Sequence, residues 1–177
     1  IVAGDAKLET DENAAFRHRD LEAKYSEVLE GDPYEVEAKK RNLTYVSLDG
    51  EVGVIGNGAG LCMGTLDLVQ RAGGRAANFC DIGGGAKAEV VQNALSVILM
   101  NPKVKGVLIN VFGGITRADA VARGVVEAPR NLAMTLPLVV RPSGPSAAGG
   151  TSPLRAHCTD ACDTRGETAP KLVSPPR

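Results

Sequence analysis

The chain has 177 residues, with 20 Lys and Arg against 21 Asp and Glu, 44% hydrophobic residues and 3% aromatics. A formal charge of −1 excludes a broad electrostatic drive toward nucleic acid or an anionic membrane surface, and no apolar run approaches the roughly 18 residues that span a bilayer. With 21 Gly beside 3 Phe, 3 Tyr and no Trp, the core must be aliphatic, and glycine must serve tight turns or backbone close to a ligand.

Ile1 opens the chain without a Met or the pattern of a signal peptide, so the chain is expected to begin inside a longer protein. Residues 1–44 are charge-rich, with eleven acidic and seven basic side chains. Ile1–Ala3 is expected to end a strand and Asp20–Leu29 to form a helix. Asp32-Pro33 should start another helix reaching Arg41, with Glu35 and Glu37 favourable to its dipole. This zone reads as a bridge between a preceding domain and the next.

Residues 45–141 change character. Tyr45–Leu48, Val52–Ile55, Ala76–Cys80, Val104–Phe112 and Leu138–Val140 read as strands. Gly60–Arg71, Lys87–Met100 and Ile115–Asn131 read as helices between them, with Pro129 expected to kink or end the last. Strands alternating with helices of this length predict an α/β fold, a doubly wound parallel sheet with helices on both faces. Val104–Phe112 is almost wholly apolar, as a strand covered on both sides should be.

Residues 142–177 hold six of the ten prolines and no aromatic. Such a stretch buries too little apolar surface to offset its ordering entropy and is expected to be a divergent, disordered tail. Its Pro, Ser, Ala, Arg and Thr bias resembles translation in a shifted reading frame. Cys62 and Cys80 lie in apolar segments and read as small buried residues. His157, Cys158 and Cys162 lack the usual two-residue metal spacing and a fourth ligand, so they are not taken as a metal site.

The glycines fall at three comparable places. Gly56-Asn57-Gly58-Ala59-Gly60, Asp81-Ile82-Gly83-Gly84-Gly85 and Gly113-Gly114-Ile115-Thr116 each follow a strand and open a helix. In an open α/β sheet that edge is where ligands bind. Backbone amides and helix amino termini there suit a phosphate, a carboxylate or both. A dinucleotide fingerprint is the competing reading, with Gly56 and Gly58 followed about twenty residues later by Asp81 on a ribose hydroxyl. Leu61 stands where its third glycine belongs, and two of the loops would go unexplained.

Longer blocks say more. Leu48-Asp49-Gly50-Glu51-Val52-Gly53, Asn57-Gly58-Ala59-Gly60-Leu61, Met63-Gly64-Thr65-Leu66-Asp67, Ala77-Asn78-Phe79-Cys80-Asp81-Ile82-Gly83-Gly84-Gly85-Ala86 and Asn110-Val111-Phe112-Gly113-Gly114-Ile115-Thr116-Arg117 closely resemble the β subunit of succinyl-CoA synthetase (succinate–CoA ligase). The resemblance runs from Ile1 to about Arg141. It implies that residues 1–44 are the end of an ATP-grasp domain with an interdomain segment, and that residues 45–141 are a flavodoxin-like CoA-ligase domain.

The same resemblance implies Asp5 as a ligand of the nucleotide's Mg2+, a hard cation suited to carboxylate oxygen. It implies Asn57, Gly114, Ile115 and Thr116 as contacts for the acid substrate, with Thr116 where many relatives carry Val. No catalytic side chain is assigned to this chain. The implied reaction joins succinate to CoA with ATP or GTP hydrolysed to the diphosphate and phosphate. A phosphohistidine on an α subunit carries the phosphoryl group, in a heterodimer or heterotetramer. Neither His18 nor His157 fits that role. Most of the ATP-grasp domain is absent from the sequence, and after Arg141 the chain departs from the family pattern. A malate–CoA ligase would share the loops, and a nicotinamide-binding module remains the different-class alternative. The cytoplasm is the expected location, or the mitochondrial matrix had a presequence been removed.

Overall fold

A computed structural model describes residues 2, 17, 18, 20, 32–113, 118–132, 136–144, 160 and 161. Among the described residues, the helices α1 (Pro33–Lys40), α2 (Ala59–Arg71), α3 (Ala88–Leu99) and α4 (Ala118–Leu132) accompany a six-stranded sheet. The strands are β1 (Thr44–Ser47), β2 (Val52–Gly56), β3 (Asn78–Asp81), β4 (Gly106–Phe112), β5 (Leu138–Ser143) and β6 (Asp160–Ala161). Of the strand expected at Ile1–Ala3 only Val2 is described, exposed and outside any strand, and of the helix expected over Asp20–Leu29 only Asp20, which is helical.

The start of α1 follows from local chemistry. Asp32 Oδ1 accepts from the backbone N–H of Tyr34 at 2.8 Å and of Glu35 at 3.3 Å, with Pro33 in the first turn. That cap satisfies donors that the helix itself leaves unpaired.

The strands are ordered β1-β3-β2-β4-β5-β6. Counted from β2, this is the 2-1-3-4-5 order of flavodoxin-like domains, with β1 added at one edge. One expectation needs correction: the sheet is mixed, because β1 runs antiparallel to β3. Only residues 48–51 join β1 to β2, too few for a parallel crossover. Since β3 and β4 already flank β2, β1 takes the next place out. All other pairings are parallel.

β4 is central, and every residue from Gly106 to Val111 is buried. α1, α3 and α4 pack together on one face, while α2 covers β2, β3 and β4 on the other. The larger core therefore lies under α3 and α4, with Ile55, Leu95, Ile98, Ile109 and Val125 wholly buried. The α2 side holds the smaller cluster of Val52, Val54, Val69, Leu108 and Val139.

Two proline positions behave differently from a simple reading. α4 continues to Leu132, three residues past Pro129, because a proline in the last turn removes one hydrogen bond with little helix left to propagate. β5 continues through Pro142 to Ser143. Ser143 O accepts from Gly113 N on the β4 side at 2.6 Å, so alternation turns the nitrogen of Pro142 toward β6. Among the described residues the β6 pairing reaches only as far as Val140, so no described ladder partner asks for a donor at Pro142.

β3 carries one extra residue against β2. Val52 pairs with Ala76 and Gly56 with Asp81, which makes four steps on one strand and five on the other, a β-bulge. The interrupted ladder is completed by a side chain. Asn78, fully buried, donates from Nδ2 to Val54 O at 2.8 Å, and its Oδ1 accepts from Val54 N at 3.1 Å. The bulge lets β3 reach Asp81 level with the end of β2.

Candidate functional site

The carboxyl ends of β2 and β3 bring the first two glycine loops side by side, next to the carboxyl end of β4, at the point where chain order reverses about β2. Two polar side chains fasten them. Asp81 Oδ1 accepts from Gly58 N at 2.7 Å and from Gly83 N at 2.8 Å, tying the first loop to the second. Asn57 Nδ2 donates to Phe112 O at 2.9 Å, and its Oδ1 accepts from Phe112 N at 2.8 Å, tying the first loop to the end of β4. Asn57 thus behaves like one more strand residue of β2, completing the ladder with its carboxamide.

Gly58 caps α2 at φ 121° with no side-chain capping bond. That backbone conformation favours glycine, and the first-turn amides of α2 carry no side-chain cap. With Asp81 Oδ1 committed to two amides, its carboxylate holds the loops together, a different use from a ribose contact. The sequence did carry a signal for this: Asp81-Ile82-Gly83 is an Asx-turn pattern, in which the aspartate accepts from the amide two residues on.

A second polar chain lies beneath the loops. Arg141 Nη1 donates to Asn110 Oδ1 at 3.0 Å, Asn110 Nδ2 donates to Thr65 Oγ1 at 2.8 Å, and Thr65 Oγ1 donates to Leu61 O at 2.7 Å. It links β5, β4 and the first turns of α2. The periodicity of these strands gives no hint of it, since Asn110 and Thr65 sit among apolar neighbours.

Cys62 and Cys80 are both fully buried free thiols, and Cys62 Sγ donates to Cys80 O at 3.1 Å. Burial, the largest cause for both, pushes each thiol up to about 12, and the charge of Asp81 adds to it. For Cys80 the neighbouring Cys62 raises it more than Asp81 does. They remain neutral and serve as packing.

Of the residues singled out in the sequence, Asn57 stands at this edge. Asp5, Gly114, Ile115 and Thr116 lie outside the described residues, as do His157, Cys158 and Cys162. His18 is exposed. Among the described residues no three His, Cys, Asp or Glu side chains gather as a metal site. No helix among them is long and apolar enough to cross a membrane. A cavity of about 420 Å³ lined by Asp32, Tyr34, Ser47, Asp49, Asn101 and Lys103 opens at the opposite edge of the sheet, away from the glycine loops.

Comparison with known proteins decides what this edge belongs to. The model of the CoA-ligase family matches residues 55–161. The chain belongs to the CoA-ligase family. That match includes the first two loops, Asn57 and the polar chain, and it continues past Arg141. Among curated relatives, the GDP-forming succinate–CoA ligase β subunit of Thermus thermophilus is 60% identical over 144 residues, covering 81% of this chain and 38% of the relative. The ADP-forming β subunit of Leptospira biflexa is 47% identical over 176 residues, covering 98% of this chain and 45% of the relative. The chain thus spans less than half the length of these relatives. In fold, the CoA-ligase chain is similar to ATP citrate lyase from Methanothrix soehngenii, with TM-score 0.60 and 22% identity over 71% of this chain and 36% of that one.

Proposed function

We propose that this chain is the acid-binding part of a succinate–CoA ligase β subunit. The observation that carries the proposal is the fastening of the first two glycine loops to each other by Asp81, and of the first loop to the end of β4 by Asn57, in a chain of the CoA-ligase family. Fixed backbone donors gathered at one edge suit groups that are anionic before and during reaction. Both succinate and a transferring phosphoryl group are of that kind.

In this reading the acid's carboxylate lies against Asn57 and the segment Gly114, Ile115 and Thr116. The phosphoryl group arrives on a histidine of a partner α subunit. A carboxylate oxygen of succinate attacks phosphorus, the N–P bond breaks, and an acyl phosphate forms. The thiol of CoA then displaces phosphate and leaves succinyl-CoA. This chain contributes orientation and fixed positive dipoles at the helix N-termini, which stabilise negative charge on the phosphoryl oxygens. Asp5 would hold in part the Mg2+ that accompanies the nucleotide, ATP or GTP, and the metal would offset the charge of the nucleotide's phosphates.

The test is kinetic. The complete β subunit, assembled with its α partner, should form succinyl-CoA, and Asn57→Ala should raise the KM for succinate about tenfold with a smaller effect on the KM for nucleotide. Equal loss toward both substrates would refute acid recognition at this edge, and a preference for malate would move the assignment to the sister ligase. Saturable binding of NADH by the chain would favour the dinucleotide module instead.

A further inference from the structure

Arg141 is the one charged member of the polar chain beneath the loops, and the fastening of those loops makes no use of its charge. It stands on β5 in register with Asn110 of β4, which is in register with Gly56 of β2 and through it with Asp81 of β3. Residues in register on neighbouring parallel strands share a face, so Arg141 lies on the α2 side of the row from which the glycine loops spring. Its side chain is half-buried. Among the described residues no carboxylate forms an ion pair with it, and its hydrogen-bond partner is the neutral amide of Asn110.

That combination is chemically pointed. A guanidinium carries five N–H donors, and here one of them, on Nη1, is directed to Asn110 Oδ1. Partial burial strips water from the cation without the Coulombic return that a carboxylate would give. A bound anion supplies that return, and a planar two-oxygen group matches the guanidinium fork. Asn110 is itself held by Thr65, which bonds to the α2 backbone, so the orienting group is fixed on two elements.

We propose that Arg141 binds the anionic ligand of the glycine-loop edge, taking a carboxylate or phosphate oxygen pair on guanidinium donors that the Asn110 contact does not occupy. The proposal rests on the reading of that edge as an anion site and adds to it a fixed, whole positive charge beside the partial charges of backbone amides.

The chain can be titrated calorimetrically with inorganic phosphate and, separately, with succinate, as parent and as Arg141→Met, Arg141→Lys and Asn110→Asp. The parent should saturate with at least one anion. Arg141→Met should weaken that binding about tenfold, the loss of one charge-assisted contact. Arg141→Lys, which keeps the charge and loses the fork, should weaken it less. Asn110→Asp supplies a carboxylate of the chain's own and should weaken binding about as much as Arg141→Met, while circular dichroism reports an intact fold. The anion whose affinity falls identifies carboxylate or phosphate as the bound group. Unchanged affinity in both Arg141→Met and Asn110→Asp overturns the role of Arg141 and leaves the glycine-loop site standing. A parent chain that saturates with neither anion overturns both. If Arg141→Met fails to fold, full affinity in a folded Asn110→Asp chain overturns the proposal, and reduced affinity supports it.

Discussion

Asp81 shows how much one side chain contributes at this edge. Its Oδ1 satisfies two backbone amides from different loops, Gly58 and Gly83, and its carboxylate lies at the amino end of α2, where negative charge is favoured. Asp81→Ala removes the acceptor from both amides, and each is only partly repaired by water. The expected loss is about 2 kcal/mol of folding stability, read from urea denaturation. Asp81→Asn retains an oxygen in the same place and should lose about half as much. Asp67→Ala, at an exposed position on α2, is the control. Should Asp81→Ala be no less stable than that control, the two amide bonds do not fasten the loops. Much of this residue-level wiring was only half legible in the sequence. The Asp81-Ile82-Gly83 pattern announces a local turn, but its second bond, to Gly58, joins positions far apart in the chain. Asn78 is harder still. Nothing in an apolar strand pattern says that an asparagine will stand in for a backbone group across a bulge.

At the scale of elements, the alternation of apolar runs and helices was enough to find every central strand and all three crossover helices, because burial on both faces imposes nearly continuous apolar sequence on them. The edges were less legible. β1 was readable as a strand but not as an antiparallel one, since its direction follows from the short connection to β2 and from neighbours already in place. Helix packing adds a constraint visible only in three dimensions. A Cβ built on Gly124 of α4 would lie 2.6 Å from Ala88 O and 3.0 Å from Ala88 Cα on α3. In an isolated helix, Gly→Ala gains about 1 kcal/mol. Here the added methyl meets backbone that cannot rotate away, and overpacking of this kind costs about 1–3 kcal/mol. Gly124→Ala is therefore expected to lower stability by about 1 kcal/mol, once the propensity gain is set against the clash. A raised melting temperature would mean that α4 slides off α3 at little cost. Gly64→Ala on α2 supplies the opposite sign, since a Cβ there meets nothing within 4 Å and the propensity gain stands alone.

Across the molecule, among the described residues, the two faces of the sheet are unequally secured. One carries α1, α3 and α4 over a continuous aliphatic core, and the other carries α2 over the smaller cluster of Val52, Val54, Val69, Leu108 and Val139. α2 also contains Gly60 and Gly64, each costing about 1 kcal/mol relative to Ala, and it leaves Met63 and Leu68 more than half exposed. Local opening free energies follow buried contact and helix propensity. α2 should therefore open without the rest of the domain, whereas α3 and β4 should open only with global unfolding. Native-state hydrogen exchange read by mass spectrometry distinguishes these cases. Amides of residues 63–71 are expected to exchange through an opening well below the global stability, and those of residues 91–98 and 107–111 at the global value. Since Gly58 caps α2, and Gly58 is held by Asp81, an anion seated at the glycine edge should slow exchange in α2 more than in α3. Equal protection of the two helices in the free chain would place α2 within the same cooperative unit as the main core, and ligand binding would then find its first loop already fully ordered.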